Sequence, residues 1–265
     1  MWLRAICDLA FEVATPTPLI LMLRPRSGAQ QWVAGEAYTL RPSVPVTEFT
    51  DIYGNLCQRL VAPMGQFSVR TSADVMTAEF IDVAPGAPFT AVQDLPDGVL
   101  CYLLPSRYCE SDRLGELARE VVWNAAPGYD QVACISDWVR RSVRNTPGSS
   151  AVPVTADEAR RRGEGVCRDL AHLVLTLCRG LSIPARLVVG YLYGLEPMDV
   201  HAWVEAYVGG RWYTFDPTQP TPRGGRIALA YGRDAADVAL YNQFGPPLFP
   251  TAMRVRMEAL ARPPG

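Results

Sequence analysis

Few residues in this chain can do covalent chemistry: seven cysteines and two histidines. Cys167 stands out by its setting, Gly165-Val166-Cys167-Arg168-Asp169-Leu170-Ala171-His172, where a glycine-bearing loop gives way to an apolar periodicity. From there Leu170, Ala171, Val174, Leu177, Cys178 and Leu181 recur at three- and four-residue spacing, which predicts a helix with the thiol in its first turn, on the buried stripe. The unpaired N–H groups and the dipole of a helix start favour an anion, so the position suits a thiolate nucleophile. Taken alone, a cysteine on such a stripe is only a small apolar side chain.

Partners for a thiolate lie downstream. Residues 201–208, His-Ala-Trp-Val-Glu-Ala-Tyr-Val, are followed by Gly209-Gly210 and then by Arg211-Trp212-Tyr213-Thr214-Phe215-Asp216-Pro217-Thr218. This has the form of a hairpin with a two-glycine turn. Val208 then faces Arg211, and the same register sets Trp203 opposite Asp216. Side chains alternate faces, so His201, Trp203, Glu205 and Tyr207 share a face with Trp212, Thr214 and Asp216, while Ala202, Val204, Ala206 and Val208 pack the other way. His201 and Asp216 become diagonal neighbours, roughly 7 Å apart at Cβ, within reach of a carboxylate–imidazole hydrogen bond. A slip of one residue would destroy the arrangement. A thiol attacking a carbonyl needs an imidazole to take and return its proton and a carboxylate to orient that imidazole, so Cys167, His201 and Asp216 are the candidate nucleophile, base and orienter. Each has an ordinary reading as well, Asp216 as the first residue of an Asp-Pro-Thr turn. The backbone N–H of Cys167 is the first candidate oxyanion donor; the second is not legible.

The elements that must hold these residues follow from pattern. Segments 3–13, 19–23, 37–40, 66–70 and 99–103 read as strands separated by Pro, Gly and Asp-rich breaks, with 51–55 as a turn, which suggests a sandwich-like antiparallel unit over residues 1–105. Beyond it, Leu114, Leu117, Ala118, Val121 and Val122 predict one helix, Val132, Ile135, Trp138, Val139 and Val143 a second over 129–144, and Thr155 caps a third that runs to Arg162. Pro184 stops the Cys167 helix, 187–193 reads as a strand, and 227–231 and 253–257 as two more. Residues 106–265 are therefore expected to form a second, catalytic unit. His172 lies about 140° around the helix from Cys167 and is not the base. Arg160, Arg161 and Arg162 read as a solvated helix face, and Asp169 as a first-turn charge or an orienting group.

The net charge of −2 supplies no basic field for nucleic acid, and no apolar stretch nears the ~20 residues of a membrane span. The first residues lack the basic, apolar and cleavage segments of a signal peptide, so a soluble, cytoplasmic protein is expected. The odd, irregularly spaced cysteines, with no CxxC pair, match neither a disulfide framework nor a zinc site. Oligomeric state is not legible.

Gly165-Val166-Cys167-Arg168-Asp169, Ile183-Pro184-Ala185-Arg186, Gly190-Tyr191, His201-Ala202-Trp203-Val204-Glu205 and Asp216-Pro217-Thr218 together resemble the bacterial transglutaminase-like superfamily of papain-type folds, over about residues 129–218. The first half resembles the N-terminal domain often attached to that family. The resemblance implies an α+β fold: a papain-like transglutaminase core, its nucleophile helix against an antiparallel sheet, preceded by a β-sandwich-like domain. It also implies a Cys167-His201-Asp216 triad, no metal or organic cofactor, and a peptide or protein amide as substrate. An acyl-thioester resolved by water makes an amidase or peptidase; resolved by an amine, a cross-linking acyltransferase. A non-catalytic interaction module retaining the fold is the competing class, and it would have no need of all three residues. Hydrolysis is the expected outcome.

Overall fold

A computed structural model describes residues 1–149 and 152–261. Six strands open the chain: β1 (Trp2–Val13), β2 (Thr17–Arg24), β3 (Gln31–Arg41), β4 (Thr47–Thr50), β5 (Leu56–Ala62) and β6 (Gly65–Thr77). In β1 and β6 buried and partly exposed residues alternate, as a strand with one face on a core requires. Leu3, Cys7, Leu9 and Phe11 of β1 meet Leu19, Leu21, Leu60, Phe67 and Val69 in that core. Residues 99–103 do not form the expected strand; Asp97–Leu103 is a 3₁₀ helix. Its buried residues, Val99 and Tyr102, are three apart, the spacing that a three-residue turn brings to one side.

A helical layer follows, with α1 (Gly115–Val121), α2 (Tyr129–Ser142), a short strand β7 (Arg144–Asn145), α3 (Ala156–Arg162), its parallel partner β8 (Glu164–Gly165) and α4 (Cys167–Gly180). Residues 150 and 151, between β7 and α3, lie outside the described residues. In α3 the Thr155 hydroxyl accepts the Glu158 N–H at 3.3 Å and Gly163 closes the helix in the left-handed conformation. Its three arginines pair with Asp157 and Glu158 of the same helix, as a solvated face does. The helix α4 is the centre of this half: Leu170, Leu173, Val174 and Leu177 are buried among Val132, Ile135 and Val139 of α2 and Ala202, Val204 and Ala206 of the sheet beneath. No described helix is long and apolar enough to cross a membrane.

That sheet consists of β9 (Ala185–Leu192), β10 (His201–Val208), β11 (Arg211–Phe215) and β12 (Arg226–Gly232), in the order β11-β10-β9-β12 and antiparallel throughout. Gly209 and Gly210 both have positive φ, 57° and 81°, the backbone a tight two-residue hairpin demands. Val208 pairs with Arg211 and Val204 with Phe215, the expected register.

The chain after β12 departs from the expected division at residue 105. Strand β13 (Tyr241–Gln243) pairs with β2, and β14 (Pro250–Leu260) with β1 from Trp2↔Leu260 to Phe11↔Pro250. The two sheets of the first half, ordered β14-β1-β6-β3 and β13-β2-β5-β4, are thus completed by the C-terminal segment. Without β14 the long edge of β1 would be left unpaired, a template for aggregation. Tyr191 of β9 and Ile227 and Leu229 of β12 also enter the sandwich core, so the two halves share apolar packing.

Candidate active site

Cys167 is the first residue of α4, with Val166 as an extended N-cap. The Val166 N–H donates to Asp169 Oδ2 at 3.1 Å, so the fully buried Asp169 caps its own helix. Gly165 permits this fold-back, because a Cβ there would come within 2.9 Å of the Asp169 Cβ. The N–H of Cys167, at the first position of the helix, has no intrahelical acceptor.

His201 opens β10 and Asp216 follows the last residue of β11. Their side chains meet as the register requires, with His201 Nε2 2.7 Å from Asp216 Oδ2 and both side chains 3% exposed. The Cys167 thiol is near enough to the same imidazole to raise its proton affinity. Nε2 is committed to Asp216, which leaves Nδ1 clear of the carboxylate. Burial alone would lower the proton affinity of His201, but the bonds to Asp216 and Cys167 outweigh it and lift the pKa to about 9. Burial likewise opposes ionisation of Asp216, yet His201, Arg226 and Thr218 together hold its carboxyl well below the usual carboxylate range.

The ring of Trp203 stacks beside His201, centroids 6.2 Å apart, and fixes the wall behind it. Opposite His201 on β9 stands Gly190, where a Cβ would fall 2.9 Å from that ring and 2.0 Å from the Ile227 carbonyl oxygen. The small residue is thus required by close strand and indole packing.

A sequence profile of the transglutaminase-like superfamily matches residues 115–217, a span that contains Cys167, His201 and Asp216. The crystal structure of a candidate cysteine protease from Cytophaga hutchinsonii superimposes with a TM-score of 0.91 at 35% identity, over 100% of this chain and 92% of that one. The chain belongs to the transglutaminase-like superfamily. An uncharacterized protein of Mycobacterium leprae is 29% identical over 231 residues, 82% of each chain. The transglutaminase-like core is the papain-type α4-on-sheet unit, and the sandwich packed against it is built from strands that precede the core and closed by β13 and β14 that follow it.

Two residues hold Asp216 in place, Thr218 from within the Asp-Pro-Thr motif and Arg226, which escapes motif reading. Thr218 donates to Asp216 Oδ1 through its N–H at 3.0 Å and its hydroxyl at 2.7 Å, so the Asx turn and the histidine contact coexist on one carboxylate. Arg226, at the start of β12, donates from Nη2 to Asp216 Oδ2 at 2.8 Å and is itself 7% exposed. An arginine opening the otherwise apolar run Ile227-Ala228-Leu229-Ala230 was the available signal. His172, as expected, stands apart from the thiol. It is fully buried, stacked on Tyr108 at 5.3 Å, with Nδ1 3.3 Å from the Val154 carbonyl and Nε2 accepting the Ala235 N–H at 3.2 Å. Among the described residues no group of three or more His, Cys, Asp or Glu side chains is placed to hold a metal ion.

Proposed function

We propose that the protein is a cysteine-dependent amide or peptide hydrolase that works through an acyl-thioester on Cys167. The observation that carries this reading is the buried His201–Asp216 pair, with the Cys167 thiol at the start of α4 near enough to raise the proton affinity of the imidazole. A histidine that retains its proton to about pH 9 beside a thiol supplies the counter-charge for a thiolate. In the first step the sulfur attacks the carbonyl carbon, the C=O electrons move to oxygen, and the Cys167 N–H at the start of α4 donates to that oxyanion. Collapse breaks the C–N bond, and the imidazolium delivers its proton to the departing amine. Neutral His201 then takes a proton from water as the hydroxyl oxygen attacks the thioester, and returns that proton to the sulfur as the carboxylic acid leaves. Asp216 keeps the imidazole oriented in each state.

A peptide or protein amide is the substrate class that the family supports, and we place the reaction in the cytoplasm, where water is the abundant acceptor. The test is the rate at which iodoacetamide alkylates each cysteine across pH, followed by peptide mass spectrometry in the wild type and in His201→Ala. Selective labelling of Cys167 well below pH 8, lost without His201, is expected. Labelling of Cys167 no faster than the other six cysteines would sink the proposal. With an activated thiol in hand, trapping the acyl-enzyme with water against an added primary amine separates hydrolysis from transfer.

A further inference from the structure

Arg226 does not reach Asp216 through the catalytic sheet alone. β12 is the edge strand of that sheet, and its outer side is held by residues of the N-terminal sandwich. The Gln31 carboxamide takes both backbone groups of Ala228, Nε2 donating to its carbonyl and Oε1 accepting its N–H, each at 2.8 Å. The Thr77 hydroxyl donates to the Arg226 carbonyl at 2.7 Å, and the Gly225 N–H to the Ala78 carbonyl at 2.9 Å. Gly224 lies so close to Glu79 that a Cβ would fall 2.2 Å from its backbone. Residues 224–228 are therefore zipped to the end of β6 and the start of β3. From that fixed backbone the guanidinium donates Nε to the Arg223 carbonyl at 3.0 Å, lies 5.0 Å from the Trp203 ring centroid, and places Nη2 on Asp216.

We propose that Arg226 is a positioning residue that shares Asp216 with His201 and so governs how firmly the imidazole holds its proton, and that the N-terminal sandwich belongs to this device because Gln31 and Thr77 fix the strand that carries Arg226. The inference rests on the triad reading above. Nη2 and His201 Nε2 address the same oxygen, Oδ2. A cation on that oxygen weakens the pull of the carboxylate on the imidazolium, which eases proton delivery to a leaving amine. It also completes the charge balance of a buried cluster: thiolate, imidazolium, carboxylate and guanidinium cancel, whereas the first three alone leave a net negative charge at low dielectric. The other charged groups lining the two cavities that flank Arg226, about 480 and 240 Å³, are already paired: the Met1 amine with Glu79, Asp82 with Arg211, and Asp137 with Arg140. Nη1 of Arg226 has no partner among the described residues, so Asp216 is the one charge this buried cation answers.

With two histidines in the chain, NMR titration of the imidazoles of the full protein reads the device directly. His201 is expected to titrate near 9 in the wild type, and His172, near 4, serves as a marker of intact core. Removing a neighbouring positive charge raises the His201 midpoint, so Arg226→Gln should move it up by about one pH unit. Arg226→Lys, which keeps the charge, should stay close to wild type. Gln31→Ala and Thr77→Val should shift His201 in the same direction by less, with His172 unmoved. A His201 midpoint unchanged in Arg226→Gln overturns the role of Arg226. A shift there with none in Gln31→Ala or Thr77→Val overturns the part given to the sandwich. Should Arg226→Gln displace His172 as well, the two sandwich variants and Arg226→Lys decide the matter. These midpoints are independent of cysteine alkylation: an unreactive wild-type Cys167 refutes the hydrolase, and an unmoved midpoint refutes the positioning.

Discussion

The two histidines of this protein are both buried, yet their surroundings drive them to opposite protonation states. His172 sits in the helical layer, stacked on Tyr108, with neutral backbone partners at both nitrogens; burial outweighs the nearby Asp234 and Asp169 charges and pushes its pKa down to about 4. His201 sits at the head of β10 with a carboxylate at one nitrogen and, together with the influence of the nearby Cys167 thiol, is lifted to about 9. Burial has the same sign at both sites; the direct partner decides the outcome. A ring held between a carbonyl and an amide staples two loops to a helix. One bonded to a carboxylate beside a thiol is equipped to move a proton.

The sharpest way to break this contrast is to delete each ring in turn. His201→Ala should lower the alkylation rate of Cys167 at neutral pH by about 10²-fold or more, since the thiol loses the group that takes its proton. His172→Ala should leave that rate within about twofold once folded, and should instead cost about 3 kcal/mol in urea denaturation, through the cavity and the two bonds it leaves unmade. Loss of thiol reactivity in folded His172→Ala would show that the second ring also serves the site.

The same contrast predicts the pH dependence of stability. His201 binds its proton more tightly in the folded than in the unfolded chain, so its contribution is complete below about 6.5 and is lost as pH rises through about 9. His172 binds its proton less tightly when folded, so its contribution is complete above about 6.5 and is lost as pH falls through about 4. Each limb spans about 3 kcal/mol at most. Asp216, depressed in the folded state, extends the acid limb below the ordinary carboxylate range. Denaturation midpoints measured across pH should form a dome, with the alkaline limb flattened in His201→Ala and the acid limb in His172→Ala. A dome unaltered by either substitution would show that other groups control it.

Much of the site could be read from sequence because its geometry is local. The alternation of the hairpin and its Gly209-Gly210 turn bring His201 and Asp216 to one face, and a helical period places Cys167 at the first turn of α4. Arg226 was hidden because its approach to Asp216 depends on β12 lying beside β9 and on the Gln31 amide of β3 and the Thr77 hydroxyl of β6, contacts between residues as far apart as Gln31 and Ala228. The return of β14 to β1 was hidden for the same reason: its alternation fits any sheet edge, and only the open side of β1 chooses one. The segment at 97–103 misled through composition, since Val, Leu and Tyr suit a strand, while burial at three-residue spacing made it 3₁₀.

The smallest effect that still sharpens the contrast belongs to Thr218. Asp216 accepts from four donors, and the hydroxyl of Thr218 is the one whose removal leaves both charged partners and the Asx-turn N–H in place. The same hydroxyl also accepts from Gln219 Nε2 at 3.2 Å and lies 3.5 Å from His201 Nε2, so Thr218→Val should cost about 1–2 kcal/mol of stability and slow Cys167 alkylation by less than about threefold. If it slowed alkylation as much as His201→Ala, orientation of the carboxylate would hang on this hydroxyl, and the Arg226 and backbone donors would be insufficient to hold Asp216 against the imidazole.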